Sequence, residues 1–200
     1  MTGTLYAFDR AFPGPVAGVD EVGRGPLAGP VVAAAVILPA GFDPAGIDDS
    51  KKLSLPKRER AAARITEEAV VGIAIVEPGE IDRLNIHGAT LLAMARAVAA
   101  LPVRPGHVLV DGKFLPSLDY SATAVIGGDA KSLSIAAASI VAKVARDRIM
   151  VAAAELHPEY DWASNKGYPA PRHLAALMEH GPTPLHRRSF APVARSYLGR

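Results

Sequence analysis

The chain has 200 residues, of which half are hydrophobic and 21% are charged, as expected for one globular domain with a substantial core. It has no cysteine, which excludes disulfides, thiolate metal sites and cysteine nucleophiles and suits a reducing, cytoplasmic location. The formal net charge is only +2, and no apolar run is long enough to span a bilayer, so we expect no membrane role.

The charge is unevenly distributed along the chain. Residues 166–200 hold six basic side chains against Glu179 alone, a net +5, which leaves −3 on the first 165 residues. A basic tail beside an acidic body suits a polyanion held next to a carboxylate site, and a solvated tail gives the same pattern. The first 15 residues lack a basic start and a long apolar run, so we expect no signal peptide.

Hydrophobic periodicity and turn residues predict alternating strands and helices. Strands are predicted at residues 16–22, 30–38, 70–76, 108–110 and 122–126. Helices are predicted at 56–68, 86–101, 132–156 and 171–180, with one helical turn at 80–84 and an otherwise irregular tail after 156. The alternation predicts an α/β fold, and the short connection between the first two strands favours a mixed sheet.

Three acidic residues occupy positions where acids are costly. Asp20 and Glu21 lie within an apolar strand, and Asp111 ends another. Burying an uncompensated charge is expensive, so such acids indicate a site. Adjacent strand residues point to opposite faces, so Asp20 and Glu21 share an ion only if the strand bends, twists or ends there, which Gly23 and Gly25 allow.

Clustered carboxylates stay ionised only if a cation neutralises them. All-oxygen ligands select a hard ion such as Mg²⁺ or Mn²⁺, and two such ions can activate water and stabilise the leaving oxygen in a phosphoryl displacement. Asp129 follows a Gly-Gly turn and is the fourth candidate ligand. Spacing alone leaves open whether the acids converge or are separately hydrogen-bonded. Zinc-type histidine spacings, a G-x-S-x-G elbow and the nucleotide-binding glycine motifs do not occur.

The order of the motifs identifies a family resemblance. The segment AGVDEVGRGPLAGP at residues 17–30 resembles the opening motif of ribonuclease HII. Six further blocks follow in that family's order: DSKKLS at 49–54, IDRLNI at 81–86, VDG at 110–112, GD at 128–129 with AAASIVAKVARD at 136–147, NKGYP at 165–169, and HGPT at 180–183 with HRRSF at 186–190. The resemblance covers residues 16–193, nearly the whole chain.

The resemblance implies a ribonuclease H-like fold, a mixed five-stranded sheet flanked by helices. Residues 1–156 would form the catalytic core, and residues 157–200 a C-terminal helical extension packed on it in a single structural domain. It also implies that Asp20, Glu21, Asp111 and Asp129 are catalytic and bind two divalent ions, Mg²⁺ or Mn²⁺. The implied enzyme is a monomeric endonuclease that hydrolyses the RNA of RNA–DNA hybrids and cuts 5′ of single ribonucleotides in duplex DNA, leaving 3′-hydroxyl and 5′-phosphate ends.

The segment Gly23, Arg24 and Gly25 suits recognition of a ribose. Glycines let backbone groups approach a sugar closely, and a 2′-hydroxyl both donates and accepts hydrogen bonds. Arg24 can add a phosphate contact, although a tight turn with an exposed arginine is the alternative. For Tyr168 the resemblance implies packing on the deoxyribose after the ribonucleotide, and the alternative is a tyrosine that anchors the core.

Basic and hydroxyl side chains complete the predicted substrate-binding set. Lys51 and Lys52 resemble phosphate-binding residues of the family, while Ser139 and Lys143 are four residues apart on one helix face and can meet the same backbone. Asp147 either pairs with Lys143 or replaces Asp129 at the metal site.

Two further arginines and the single tryptophan also have predicted roles. Arg187 and Arg188 are expected to add nonspecific duplex affinity, and Trp162 to be a core residue. Two alternative functions remain: a ribonuclease HIII-like hybrid nuclease that prefers longer RNA tracts, and a non-catalytic module that binds RNA–DNA hybrids. The full set of four acids argues against the non-catalytic module.

Overall fold

Five strands form one mixed sheet. The computed structural model describes residues 7–47 and 53–197. The strands are β1 (Val16–Val22), β2 (Val31–Ile37), β3 (Val70–Val76), β4 (His107–Asp111) and β5 (Ala122–Val125). Their order in space is β3-β2-β1-β4-β5, in which β1, β4 and β5 are parallel and β2 is antiparallel to both of its neighbours. The predicted mixed α/β sheet is confirmed, and every strand lies within one residue of its predicted bounds.

Helices pack around this sheet. The main ones are α1 (Leu55–Glu68), α2 (Pro78–Ala99), α3 (Leu133–Leu156), α4 (Trp162–Asn165), α5 (Pro171–His180) and α6 (Ala191–Ser196). The prediction that the tail is irregular apart from α5 is wrong, because α4 and α6 are helical. They contain only four and six residues, which is too short for a hydrophobic period to emerge. In the part of the chain that the structure describes, no helix combines the length and apolar character needed to cross a bilayer.

The predicted turn at 80–84 and the predicted helix from 86 both belong to α2. Asn85 separates them, since its φ of 59° and ψ of 169° are not helical. Its side-chain oxygen accepts hydrogen bonds from the amides of His87 and Gly88, at 2.9 and 3.1 Å, and so caps the second half of the helix.

Both faces of the sheet are covered. Helix α2 packs on one face through residues such as Ile81, Met94 and Ala97, whereas α1 and α3 pack on the other through Ile65 and Ile140. Strand β2 is buried along its entire length because it lies under both layers, which explains its wholly apolar sequence.

Gly18 allows the closest approach of α3 to β1. A Cβ atom at this position would lie 2.1 Å from the carbonyl carbon of Ser134, at the start of α3. Since backbone cannot yield as a flexible side chain does, only glycine fits here. This contact fixes the helix that carries Ser139, Lys143 and Arg146 against the strand that carries Asp20.

The chain after residue 156 is hydrogen-bonded to the loop between β1 and β2. The amide of Leu27 donates to the carbonyl of Gly167, that of Gly29 to Leu185, and that of Arg187 to Leu27, each at 2.8 Å. One buried cluster contains residues from both parts of the chain: Ala28, Met150, Ala153, Tyr160, Trp162 and Ala176. The C-terminal extension therefore packs against the β1–β2 loop and holds it in place by main-chain hydrogen bonds.

Candidate active site

The acids predicted from the strands lie at one edge of the sheet. Val19 of β1 is opposite Val110 of the parallel strand β4, so the residues that follow, Asp20 and Asp111, are neighbours across the two strands. The carboxyl ends of parallel strands meet at the same edge, and this is where open α/β sheets bind ligands. The fold thus delivers both acids to one location.

Asp20 is the most deeply buried of these acids, with 6% of its surface exposed. Its Oδ1 accepts the amide hydrogen of Glu21 at 2.8 Å. Burial raises the pKa of Asp20 well above its usual value, repulsion from Glu21 and Asp111 raises it further, and a hydrogen bond from Ser139 acts in the opposite direction. The negative charges therefore lie close enough to disfavour one another.

Glu21 belongs to the same group of charges. Burial raises the pKa of its carboxyl group, the nearby Arg24 lowers it, and Asp111 raises it. The strand does not break between Asp20 and Glu21, since both remain in register with β2. It ends at Val22, one residue later, so the expected end of the strand comes just beyond the acidic pair.

The segment that carries Asp129 reaches the same place. The amide of Gly128 donates to Oδ1 of Asp111 at 2.6 Å. Asp129 is half-buried in the 3-10 turn Gly128–Ala130, which follows β5. Within residues 7–47 and 53–197, no three His, Asp or Glu side chains already form a metal-binding arrangement. To bind a shared ion, these carboxylates would have to turn towards one another. A bound cation would make that possible because it neutralises their mutual repulsion.

A second structural unit adjoins the acids, and we call residues 23–30 the glycine loop. It begins at Gly23, whose φ of 94° lies in the left-handed region. Half of the Arg24 side chain is exposed, and its Nη1 lies 3.3 Å from Oε1 of Glu21. A Cβ on Gly25 would lie 3.5 Å from Cε1 of Tyr168, so the tyrosine ring adjoins the loop.

The structure therefore brings together the four residues predicted to recognise the sugar. The Tyr168 residue is 42% exposed, which makes the alternative of a core anchor wrong. Trp162, in contrast, is fully buried, as predicted.

The predicted phosphate-binding residues have different positions. Ser139 is buried against Asp20, and Lys143 donates to Oδ1 of Asp147 at 2.6 Å. The interpretation that Asp147 pairs with Lys143 is confirmed, and an ammonium group with three donors can still contact a phosphate. Lys51 and Lys52 lie outside the described residues.

Arg187 does not occupy the position expected from the sequence. The prediction that it adds affinity at the surface is wrong, because its side chain is fully buried beneath the glycine loop and donates to backbone carbonyls. Arg188 is exposed, and its amide donates to Asp82 at 3.0 Å. Arg146 also lies beneath this loop and was not among the predicted site residues. It falls on an otherwise apolar helical stripe formed by residues 142, 146, 150 and 153, a signal that marks it as buried.

Two buried histidines of the extension, His173 and His186, form a hydrogen-bonded pair that contacts the main chain of Tyr168. Trp162 Nε1 donates to Nε2 of His173 at 3.1 Å, so the proton of a neutral His173 is on Nδ1, which donates to the Tyr168 carbonyl at 2.9 Å. His186 then donates from Nε2 to the same His173 nitrogen at 3.0 Å and accepts the amide hydrogen of Thr183 on Nδ1. Burial lowers the pKa of both histidines, that of His186 to about 3, aided by repulsion from His173.

Known proteins resemble this chain over nearly its whole length. The family model described as Ribonuclease HII matches residues 17–193. A Ribonuclease HII of Rhizorhabdus wittichii is 59% identical, over 99% of this chain and 98% of that protein, and one of Paracoccus denitrificans is 61% identical, over 89% and 85%. The crystal structure of the ribonuclease H2 from Pyrococcus horikoshii OT3 has a TM-score of 0.77 and 28% identity, and the similarity covers 90% of this chain and 96% of that one.

Proposed function

The chain belongs to the ribonuclease HII family and has its ribonuclease H-like fold, and on that premise we propose that it cuts 5′ of single ribonucleotides in duplex DNA. Membership makes it an endonuclease of the ribonuclease H type, a hydrolase that acts on nucleic acid. The finer proposal rests on one observation: Asp20 and Asp111 are neighbours across β1 and β4, β1 continues directly into the glycine loop, and the Tyr168 ring lies beside Gly25 of that loop.

The carboxylates supply the reaction site in this proposal. Asp20, Glu21, Asp111 and Asp129 offer only oxygen donors, the set that suits Mg²⁺ or Mn²⁺, and their crowding favours a cation. Divalent ions bound by these carboxylates would supply an activated water and charge stabilisation for the departing 3′-oxygen. The hydrogen bond from Ser139 orients Asp20, and the Gly128 amide orients Asp111.

In this proposal the glycine loop distinguishes ribose from deoxyribose. Gly25 is exposed and leaves the backbone open to a sugar, where a 2′-hydroxyl can both donate and accept, whereas the buried Gly23 provides the left-handed turn that leads to it. The exposed ring of Tyr168 stands beside Gly25 and packs on the next sugar, where a second 2′-hydroxyl would clash. Arg24 and Lys143 contact the flanking phosphates, with Lys51 and Lys52 proposed from the family motif. The enzyme thus recognises an RNA-to-DNA junction.

A cleavage assay tests this function. Duplex DNA that holds one ribonucleotide should be cut on its 5′ side in Mg²⁺ or Mn²⁺ and remain intact with a chelator. Asp111→Asn should lower the rate by roughly a hundredfold or more, since even the partners of metal ligands matter by 10- to 100-fold. The exposed Asp119→Asn is the matched control and should cut normally.

Three results would contradict the proposal. Near-native cleavage by Asp111→Asn would remove that residue from the site. Preference for four consecutive ribonucleotides over one would indicate a ribonuclease HIII-like substrate choice, and binding without metal-dependent cleavage would indicate a hybrid-binding module.

A further inference from the structure

Two arginines are buried side by side beneath the glycine loop. Arg146 on α3 and Arg187 in the extension are both completely inaccessible to solvent. No salt bridge joins either of them to a carboxylate among the described residues. A buried cation without a paired anion is unfavourable unless hydrogen bonds satisfy it, so each of these two guanidinium groups needs several acceptors.

Arg187 is satisfied by the main chain of the glycine loop. Its guanidinium donates to four carbonyl oxygens, those of Gly23 at 2.5 Å, Arg24 at 3.0 Å, Gly29 at 3.0 Å and Pro30 at 3.2 Å. The four carbonyls come from both ends of the loop, so this one buried side chain connects the two ends to each other.

Arg146 connects the same loop to the segment that bears Tyr168. It donates to the carbonyls of Pro30 at 2.9 Å, Ala28 at 3.1 Å and Lys166 at 3.0 Å. Lys166 is two residues before Tyr168, and the Pro30 carbonyl is shared with Arg187. Burial lowers the pKa of both arginines, that of Arg187 to about 9, with repulsion from Arg146 as the second cause.

The direction of these carbonyls determines the direction of the amides. In a trans peptide unit the C=O and N–H bonds point in opposite directions. Because the carbonyls of Gly23 and Arg24 face the buried guanidinium, the amides of Arg24 and Gly25 face away from it, towards the open side of the loop. These are donors of the kind that a 2′-hydroxyl or phosphate oxygen accepts.

We propose that Arg146 and Arg187 are positioning residues that aim the Arg24 and Gly25 amides at the substrate and fix Tyr168 relative to them. The inference rests on the proposed function of the glycine loop. Arginine is required because a planar fork of five donors reaches several carbonyls at once, whereas lysine offers three donors on one nitrogen. Neither side chain touches the substrate.

Conservative substitution tests the role. Arg187→Lys keeps the positive charge but should lower kcat/KM for a one-ribonucleotide duplex by roughly 10- to 100-fold. A loss of this size is expected when the loop amides, and with them the bound sugar, are displaced by about 1 Å. Arg104→Lys, at an exposed position just before β4 and so at the opposite end of that strand from Asp111, is the matched control and should remain near native. Arg146→Lys should behave as Arg187→Lys does, and it serves alone if Arg187→Lys does not fold.

A readout without catalysis separates this inference from the proposed function. The amide resonances of Arg24 and Gly25 should shift in Arg187→Lys without nucleic acid, and stay in place in Arg104→Lys. Added guanidinium should partly restore cleavage by Arg187→Ala and should not restore Asp111→Asn. Folded lysine variants with native kcat/KM and native amide resonances would overturn the inference, whereas an inactive native enzyme with these shifts would overturn only the proposed function.

Discussion

Gly23 and Gly25 are separated by one residue but meet different physical demands. At Gly23 a Cβ would lie 2.2 Å from Nε of Arg146 and 2.7 Å from the carbonyl oxygen of Pro30, on a backbone with φ of +94°. At Gly25 the closest atom would be Cε1 of Tyr168 at 3.5 Å, an ordinary contact. A methyl group thus conflicts with the fold at position 23, whereas at position 25 it only fills space beside the tyrosine.

We therefore expect opposite results from two alanine substitutions. Gly25→Ala should leave the free energy of unfolding within about 0.5 kcal/mol of the native value and reduce kcat/KM for the one-ribonucleotide duplex by about tenfold or more. Gly23→Ala should lower the free energy of unfolding by roughly 2 kcal/mol or more, from positive φ and overpacking together. Urea unfolding and steady-state cleavage measure both, and native cleavage by Gly25→Ala would refute its assignment to the sugar site.

Some residues of the candidate site could be predicted from the sequence and others could not. Asp20, Glu21 and Asp111 are conspicuous because acids in apolar strands are rare, and the structure places them together. Arg187 lies in a basic tail, where nothing in the local sequence distinguishes a surface cation from a buried one. Its position depends on where the extension meets the glycine loop, a tertiary contact more than 150 residues apart in sequence.

Strands and helices could be predicted from the sequence when they were long enough to repeat their hydrophobic pattern several times. The strands of the sheet and the 24-residue α3 repeat their pattern often enough to be recognised. Helices α4 and α6 do not, because single buried anchors, Trp162 and Val193, hold them in place. One of the contacts around them is polar, and no periodicity indicates it: Trp162 of α4 donates to His173 of α5, which pairs with His186 in the loop that precedes α6.

That histidine pair should make the stability of the protein depend on pH. The folded-state pKa of His186 is lowered to about 3 from 6.5, so the unfolded chain binds the proton first. Its contribution is therefore complete above pH 6.5 and is lost as the pH falls towards 3, by about 1.4 kcal/mol per pH unit. Between pH 7.5 and pH 5 the loss attributable to His186 should be roughly 2 kcal/mol.

A difference between variants isolates this contribution from titrating carboxylates. His186→Gln should be less stable than the native protein at pH 7.5, and its disadvantage should shrink by about 2 kcal/mol at pH 5. His180→Gln, at an exposed position, should show no such change. Denaturant unfolding at the two pH values provides the measurement, and a constant disadvantage for His186→Gln would show that the proton is not excluded from the folded state.

At the scale of the whole molecule, the extension packs against the glycine loop of the candidate active site. Of its basic residues, Arg187 points inward to the glycine loop, so the basic tail is not simply a clamp for phosphates. Main-chain hydrogen bonds from Leu27, Gly29 and Arg187 tie the two parts of the chain together, and Ala28 shares a buried cluster with Trp162. We propose that residues 1–156 and 157–200 form one cooperative unit.

A single fluorophore can test this cooperativity. Trp162 is the only tryptophan of the chain, and it is fully buried in the extension, whereas far-UV circular dichroism reports mainly the sheet and the long helices of residues 1–156. If losing the extension exposes the cluster around Ala28 and leaves Arg146 without the carbonyl of Lys166, neither part is stable alone. Tryptophan fluorescence and circular dichroism should then give one urea transition with the same midpoint and slope. A fluorescence transition at lower urea, with the dichroism still native, would show instead that the extension unfolds as a separate unit and that the core retains its structure without it.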